Sequence, residues 1–488
     1  MTIDGILLFI GIIMIVAVFA SKIMSRYGVP TLVIFMGLGM LLGSEGFGGI
    51  EFNDIYAARD IANVALMVII FSGGFDTHWS SAKKSAKLSI TLASVGVVLT
   101  ALSVALFSTL ALGFTILEGF LLGSIISSTD AASVFAILKA KRLNLKNELA
   151  PTLEMESGSN DPMAYLLTIL ALGLFQGQGN QLFLTFILQI AVGLFVGLIV
   201  GKAATWFINR IHLTIDGLYI IIAIAVMIIS YSLSTVLLGN GFLSVYLTGI
   251  ILGNSRIVHK FPMIRFFDGL TNLMQMALFF TLGLLVFPSQ VQSVLIPGLA
   301  VALFLTFFGR PIAVAIIMKL GFRRTWADTF FVSWVGFRGA ASIVFAILAI
   351  AEGAPQANLI FNIVFFVAFF SVLFQGTFLV PIAKKLRVVE PEGTVLKTFT
   401  DYSGEVYTEV MELRVSALCE AAGKSVKDLD LPQDVLILMI KRGDLIIPPK
   451  GATEILAGDL LMLAGGSKEE LIRCSQLIRR PKENLDIA

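Results

Sequence analysis

The sequence is poor in the residues that form disulfides and zinc sites. Its 488 residues include two cysteines, Cys419 and Cys474, and three histidines, His78, His212 and His259. Both cysteines lie in a polar C-terminal part that the loop charges place in the cytosol, where a structural disulfide is not expected. The histidines fall in or near predicted loops, so they cannot supply the clustered ligands of a zinc site inside a membrane.

Phosphate-binding loops and charged residues are also scarce. The 44 glycines are dispersed, and none belongs to a Gly-x-x-x-x-Gly-Lys motif, so nothing resembles an ATPase. Charged residues make up 14% of the chain and hydrophobic residues 57%, with a mean hydropathy of +0.91. A soluble core could not hide that much apolar surface. The sequence therefore predicts a polytopic membrane protein that is not an enzyme, needs no cofactor, binds no nucleic acid and draws its energy from ion gradients.

Apolar runs of about 20 residues predict about thirteen membrane-spanning α-helices. The predicted helices cover residues 4–25, 30–45, 58–76, 86–113, 115–138, 148–174, 182–208, 216–237, 240–254, 262–287, 291–319, 327–351 and 357–383. The first run follows Asp4 and has no basic region before it, which favours a retained helix over a cleaved signal peptide.

The predicted loops alternate in charge. One set is basic, as at Lys83, Lys84 and Lys87, whereas the opposite set carries acidic residues such as Glu45 and Glu51. Because basic loops stay on the cytoplasmic side, the N-terminus is expected outside and the C-terminal domain inside. An odd number of helices agrees with that topology.

A polar and acidic run interrupts the otherwise apolar span from Leu149 to Leu174. It reads Glu154-Met155-Glu156-Ser157-Gly158-Ser159-Asn160-Asp161-Pro162. A carboxylate near mid-membrane costs several kcal/mol unless it is paired, hydrated or protonated, which makes Asp161 a functional candidate.

Helical spacing places Ser157 beside Asp161 and Glu156 beside Asn160. Pro162 has no N–H, so it leaves the carbonyl of the glycine four residues earlier without its helical donor. Carboxylate, hydroxyl, amide and carbonyl oxygens together suit an alkali cation. The alternative is that these polar groups only hold helices together.

A short phrase recurs in the fifth and twelfth predicted helices. Residues 127–138 contain Asp130 followed by Ala-Ala-Ser, and residues 336–348 contain Arg338, then Gly-Ala-Ala-Ser. The two helices run in opposite directions in the predicted topology, so the phrases are inverted copies. Inverted repeats with interrupted helices are typical of secondary transporters.

The charges predicted near mid-membrane must neutralise one another. We expect Arg338 to pair with Glu156, which leaves Asp161 to exchange a proton for a cation. Asp130, next to Thr129, is expected to steady the interrupted fifth helix and to supply oxygens. Two roles stay open for Arg310, a structural ion pair or a second functional charge, and two for Glu154, a funnel lining or a snorkelling side chain.

The composition changes after the last predicted helix. Residues 1–386 form the predicted membrane domain, 387–400 a linker, and 401–488 a small α+β domain. Alternating segments at 410–415, 435–440 and 460–463 predict strands, and residues 467–479 a closing helix.

The motifs around Thr129-Asp130, Glu156 to Pro162 and Gly336 to Gly339 resemble the electroneutral monovalent cation:proton antiporter family, in its NhaP-like branch. The resemblance covers about residues 5–385. It implies an inverted-repeat fold of thirteen helices, usually homodimeric, with a moving core.

The same resemblance implies a set of functional residues. The ion site would comprise Thr129, Asp130, Ser157 and Asp161 with Glu156 nearby, while Asn160 and Arg338 would tie the helices together. Asn160 before the transporting aspartate marks the electroneutral branch. The implied activity is one-for-one exchange of a monovalent cation and a proton.

The tail resembles the TrkA-C module of potassium-conductance regulators, on the run from Ile440 to Gly465. That module implies a regulatory ligand such as a cyclic dinucleotide or another nucleotide. Together these features predict a bacterial inner-membrane K⁺/H⁺ antiporter gated by its tail. The alternatives are Na⁺/H⁺ exchange, a ligand-gated cation channel, for which no Thr-Val-Gly-Tyr-Gly filter is found, and a membrane sensor.

Overall fold

The computed structural model describes most of the chain from residue 31 onward. The described residues are 4, 5, 8, 11–16, 18, 19, 31–50, 52, 54–141, 143–177, 179, 181–211, 213, 215–390, 409–417, 419–429, 431, 432, 435–443, 445–465 and 468–478. Half of the first predicted helix, 4–25, and most of the predicted linker, 387–400, lie outside them. The chain divides into two compact units, Met1–Glu390 and Pro391–Ala488.

The first unit is helical throughout its described part. Its helices are α1 (Thr31–Leu42), α2 (Ile55–Asp76), α3 (Trp79–Ala82), α4 (Ala86–Leu112), α5 (Ile116–Ile125), α6 (Ala131–Ala140), α7 (Leu149–Phe175), α8 (Leu182–Arg210), α9 (Asp216–Val236), α10 (Gly241–Asn254), α11 (Lys260–Leu285), α12 (Pro288–Phe304, continued by Leu305–Gly309, Arg310–Ala315 and Ile316–Gly321), α13 (Trp326–Trp334), α14 (Ala340–Ala351) and α15 (Ala357–Lys385).

Many of these helices are long and apolar enough to cross a bilayer. Within the described residues six qualify by length and composition alone, and four shorter apolar helices accompany them. The prediction of a polytopic helical membrane protein is therefore confirmed.

Two predicted spans prove to be interrupted, as the repeat pattern indicated. The span predicted at 115–138 is divided into α5 and α6, and the span predicted at 327–351 into α13 and α14. Helix α5 starts with a capping box in which Thr115 and Glu118 satisfy each other's backbone N–H groups. Helix α7, by contrast, continues through Pro162.

Several long helices contain π-helical turns, at residues 92–96, 305–309, 316–321 and 371–375. Such turns shift the helical register and often occur at functional sites. The turn at 371–375 adjoins the break between α13 and α14, which its side chains contact.

The two ends of the bundle differ in charge. We call the end with residues 83–87 and 143–146 the basic end, and the end with residues 43–50 and Asp54 the acidic end. Helices α2, α6 and α10 run toward the basic end, and α7 runs toward the acidic end.

The second unit holds a four-stranded antiparallel sheet. The strands are β1 (Glu409–Arg414), β2 (Val435–Arg442), β3 (Leu445–Ile447) and β4 (Leu460–Gly465), in the order β1-β4-β2-β3. Helix α16 (Lys468–Ile478) packs on β1, β2 and β4. These elements agree with the strands and closing helix predicted from the sequence.

Candidate functional site

The two helix breaks touch each other inside the bundle. Residues 126–130 separate α5 from α6, and residues 335–339 separate α13 from α14. The N–H of Asp130 donates to the carbonyl of Phe337 at 2.8 Å. A Cβ added at Gly339 would lie 2.4 Å from the Cβ of Asp130. Only glycine lets the breaks approach this closely.

Asp130 caps the half-helix α6. Its carboxylate accepts from the backbone N–H of Ser133 at 3.3 Å and from the Ser133 hydroxyl at 2.5 Å. A carboxylate at a helix N-terminus also opposes the positive end of the helix dipole. These contacts agree with the role of steadying the interrupted helix.

Arg338 stabilises the opposite side of the same break. Its Nη1 donates to the carbonyls of Ser127 at 3.0 Å and Ser128 at 2.7 Å, and the side chain is 1% exposed. A guanidinium here satisfies carbonyls left without helical donors where α5 ends. The backbone N–H of Arg338 donates to the hydroxyl of Ser371 at 2.9 Å.

The predicted pair between Arg338 and Glu156 is wrong. In the described residues Glu156 forms its salt bridge with Arg310, at 2.7 Å, and the two side chains are 1% and 3% exposed. Arg338 is used at the end of α5 instead, so α12 supplies the counter-charge. Of the two roles left open for Arg310, the structural ion pair is the one observed.

Asp161 lies opposite the break between α5 and α6. The hydroxyl of Ser128 donates to the Oδ1 of Asp161. One turn earlier on α7, the Ser157 hydroxyl donates to the carbonyl of Thr129 at 2.9 Å and accepts from the N–H of Ala131 at 3.0 Å. Helix α7 is thereby fastened to the break on the face that carries Asp161.

Asn160 adds a further tie between α7 and the break. Its Nδ2 donates to the Thr129 hydroxyl at 2.6 Å, and the side chain is fully buried. The predicted residues Thr129, Asp130, Ser157, Asn160 and Asp161 thus come together at one place. Ser128 also belongs to it, although no sequence pattern singled out Ser128.

A cavity of about 380 Å³ opens beside this cluster. It is lined by oxygen-bearing side chains, including Ser128, Thr129, Asp130, Ser157 and Asp161, and further out by Asp76, Lys139, Glu154, Thr271 and Gln275. Asp76 ends α2 and Lys139 lies in the last turn of α6, so the cavity extends from Asp161 toward the basic end. Glu154 lines the wall of this funnel.

Aromatic rings pack between Asp161 and the acidic end. Tyr165, one turn beyond Asp161 on α7, has its ring centroid 5.1 Å from that of Phe242 and 5.8 Å from that of Phe345. Phe242 contacts Tyr231 in turn, at 5.2 Å. Phe242 and Phe345 are 1% and 0% exposed. The cavity thus extends from Asp161 toward the basic end, whereas packed aromatic rings lie on the other side of Asp161.

The ligand types in the cluster are oxygens, with no thiolate or imidazole among them. Within the described residues, no group of three or more His, Cys, Asp or Glu side chains is arranged to hold a metal ion. Carboxylate, hydroxyl and carbonyl oxygens favour hard cations over transition metals. The donor set thus fits an alkali cation as transported substrate.

Known proteins match most of the length of this chain. It is 35% identical over 479 residues to a protein of Shewanella baltica named K(+)/H(+) antiporter NhaP2, covering 97% of this chain and 82% of that protein. It is 38% identical over 389 residues to K(+)/H(+) antiporter NhaP of Alkalimonas amylolytica, covering 79% of this chain and 67% of that protein.

A solved structure has the same fold. The sodium proton antiporter MjNhaP1 from Methanocaldococcus jannaschii superposes with a TM-score of 0.70 at 22% identity, covering 79% of this chain and 99% of the other. Residues 11–385 match the transmembrane sodium/hydrogen exchanger family, and residues 410–471 match the TrkA-C domain. The chain therefore belongs to the sodium/hydrogen exchanger family of cation/proton antiporters and carries a C-terminal TrkA-C domain.

Proposed function

We propose that the chain exchanges K⁺ for H⁺, one for one, with the two ions competing for Asp161. The observation that carries this proposal is the position of Asp161 on the cavity wall, where Ser128 donates a hydrogen bond to it. In the described part of the chain no Lys, Arg or His forms a salt bridge with Asp161, whereas Glu156 has Arg310. Asp161 is thus available to a cation or a proton.

The buried charges support electroneutral exchange. Glu156, Arg310 and Arg338 are buried, and the carboxylates of Asp130 and Asp161 beside them are half-buried. With all five ionised, one negative charge is left over. A bound K⁺ or a proton on Asp161 neutralises the cluster equally well, and an uncompensated charge inside a membrane is costly. Each loaded form is therefore the one suited to crossing the membrane.

The cation would bind among the oxygens of Thr129, Asp130, Ser157 and Asp161. The Ser157 hydroxyl already bridges two backbone groups of the break, and the Asp130 carboxylate is held by Ser133. A site that is fixed before the ion arrives loses little entropy when it binds. Glu156 would act through its pair with Arg310, by keeping α7 and α12 in register.

Alternating access would deliver the ion to both sides. The cavity reaches Asp161 from the basic end, while the rings of Tyr165, Phe242 and Phe345 pack between Asp161 and the acidic end. A conformational change must therefore expose Asp161 to the acidic end. With basic loops in the cytoplasm, the N-terminus lies outside a bacterial inner membrane and the TrkA-C domain inside.

Two partners follow from the family. We infer a homodimer, and a small ligand such as a cyclic dinucleotide or another nucleotide that acts on the TrkA-C domain. Truncation after Leu386 should leave exchange in place but remove its response to such a ligand. Loss of the folded membrane unit on truncation would contradict a separable regulator.

The decisive experiment is exchange in proteoliposomes. The purified full chain is reconstituted with a trapped pH dye, an acid-inside gradient is imposed, and KCl or NaCl is added. We expect K⁺ to dissipate the gradient, and Asp161→Asn to abolish that response while the variant keeps the size-exclusion profile of the parent. The rate should not change when valinomycin clamps the membrane potential, because the exchange is electroneutral.

Other results would identify the alternatives. Dissipation with Na⁺ alone would establish Na⁺/H⁺ exchange, an alternative that the sodium proton antiporter fold supports. Cation flux without proton flux, retained in Asp161→Asn, would indicate a channel. If neither ion moves protons, the antiporter proposal fails and a membrane sensor becomes the better interpretation.

A further inference from the structure

A buried hydrogen bond joins α7 to α10 one residue beyond Asp161. The Nδ2 of Asn240 donates to the carbonyl of Pro162 at 3.1 Å, and Asn240 is 0% exposed. This bond connects the helix that carries the transporting carboxylate to a neighbour outside the helix breaks.

Asn240 is itself held firmly. Its Oδ1 caps α10 by accepting from the N–H of Leu243 at 3.0 Å, and its backbone N–H donates to the carbonyl of Gln189 on α8 at 3.0 Å. With its oxygen and backbone fixed, the side-chain amide projects toward α7 from a constant position. A displaced α7 must offer this amide another acceptor, because leaving a buried donor unpaired is costly.

Helix α7 carries such an acceptor one turn away. Pro162 has no N–H, so the carbonyl of Gly158 lacks its helical donor. Helices α7 and α10 are antiparallel, with Asn240 beside Pro162 and Tyr246 beside Gly158. A shift of α7 by four residues, about 6 Å along its axis, toward the acidic end would bring the Gly158 carbonyl opposite Asn240.

The same shift would bring Glu154 into the place of Gly158 beside Tyr246, whose ring must then turn aside. A Cβ added there would lie 2.3 Å from Cε2 of Tyr246, so the ring rests directly on the α7 backbone. The shift toward the acidic end is the direction that alternating access requires, since the cavity now opens at the basic end.

We propose that Asn240 and Pro162 form a one-turn ratchet, in which the Asn240 amide passes from the Pro162 carbonyl to the Gly158 carbonyl when the site turns to the acidic end. Asn240 is thus a positioning residue that favours two discrete positions of α7 over intermediate ones. The proposal rests on the exchange function proposed above.

The test restores the missing N–H. Pro162→Ala supplies a helical donor to the Gly158 carbonyl. The hydrogen bond from Asn240 to that carbonyl then stabilises the shifted position less, and the shifted position becomes less populated. Apparent affinity falls with the population of the competent state. One hydrogen bond of about 0.5–1.5 kcal/mol corresponds to about a two- to tenfold change. The K⁺ concentration for half-maximal exchange should rise by that factor at the acidic end alone.

Membrane vesicles of the two orientations present the two ends separately. Everted and right-side-out vesicles are compared for the parent, Pro162→Ala, Asn240→Ser and the double variant. Serine keeps a capping oxygen for α10 but cannot reach Pro162. When Asn240→Ser is already present, Pro162→Ala should have no effect of its own. Pro297→Ala, which changes an interior proline of α12, should leave both affinities unchanged.

Each outcome of this experiment supports or overturns the ratchet. An affinity change of equal size at both ends, an unchanged affinity at both ends, or the same effect of Pro162→Ala with and without Asn240 would overturn the ratchet while exchange by the parent stands. If Pro162→Ala does not fold, as judged by size exclusion, Pro162→Gly restores the same N–H and takes its place. If the parent itself exchanges no cation, the proposed function fails and the ratchet fails with it.

Discussion

Replacing Arg310 by alanine should strand a carboxylate in the interior of the membrane unit. Glu156 and Arg310 are 1% and 3% exposed and lie 2.7 Å apart. Removing one partner of such a pair leaves an unpaired buried charge, which typically costs about 3–5 kcal/mol. We expect Arg310→Ala to lower the free energy of unfolding of the membrane unit by about that amount.

The measurement is equilibrium unfolding of the detergent-purified full chain, followed by tryptophan fluorescence. Glu156→Gln removes the charge that Arg310→Ala strands, so the double variant should recover most of the lost stability. Arg338→Ala is the matched control. Because Arg338 donates to backbone carbonyls of the α5 terminus, Glu156→Gln should not rescue it.

The opposite pattern would refute this reasoning. If Glu156→Gln rescues Arg338→Ala and leaves Arg310→Ala unaffected, the partner of Glu156 is the one expected from the sequence. Additive losses in both double variants would show that neither arginine is coupled to Glu156.

Three further predictions concern single contacts. Gly339→Ala places a Cβ 2.4 Å from the opposite helix break and should abolish exchange, as measured by dye recovery in proteoliposomes. Ser128→Ala removes the hydrogen bond to Asp161 and should change the half-maximal K⁺ concentration severalfold with little loss of folded protein. In the tail, hydrogen bonds from Arg442 lower the pKa of Asp459 below its usual 3.8, so this pair stabilises the domain above that pH, and its contribution is lost as the pH falls through the lowered value. Arg442→Ala should therefore destabilise the domain at pH 7, and the deficit measured by hydrogen exchange in β4 should shrink below pH 3.8.

The sequence predicted those parts of the site whose charged or polar side chains are energetically costly inside a membrane. An aspartate in an apolar span is expensive wherever the surrounding helices lie, so Asp161 could be identified from composition alone. Ser157 follows from helical spacing. The interrupted helices were indicated by the repeated phrase around Asp130 and Arg338. The structure brings these residues together.

Pairing was harder to predict because it depends on how helices rotate and pack. Arg310 and Arg338 both lie at a depth that could serve Glu156, and one sequence does not reveal which faces it. The structure shows that the end of α5 takes Arg338. The backbone carbonyls at that helix end need a donor, and a pattern of side chains in the sequence does not reveal this need. Ser128 and Asn240 were missed for a similar reason, since isolated polar residues near helix ends are common.

Each inverted half contains a helix break, but one half alone carries the carboxylate that is proposed to bind the ions. A break by itself is therefore not sufficient for an ion site. In each half the second helix after the break provides a serine that contacts the break. The Ser157 hydroxyl on α7 accepts from the N–H of Ala131 at 3.0 Å, and the Ser371 hydroxyl on α15 accepts from the N–H of Arg338 at 2.9 Å. Both breaks are thus fixed by the same device.

The two halves differ in the residue that lies one turn further along the helix. On α7 it is Asp161, whereas on α15 it is Gln375, whose Nε2 donates to the carbonyl of Trp334 at 3.1 Å. The indole of Trp334 donates in turn to the Gln375 carbonyl at 3.2 Å. A neutral amide in a reciprocal pair holds its position and cannot exchange a proton for a cation. In the proposed exchange, the second break, with Arg338, therefore supplies fixed positive charge, and α7 beside the first break supplies the carboxylate for which both ions would compete.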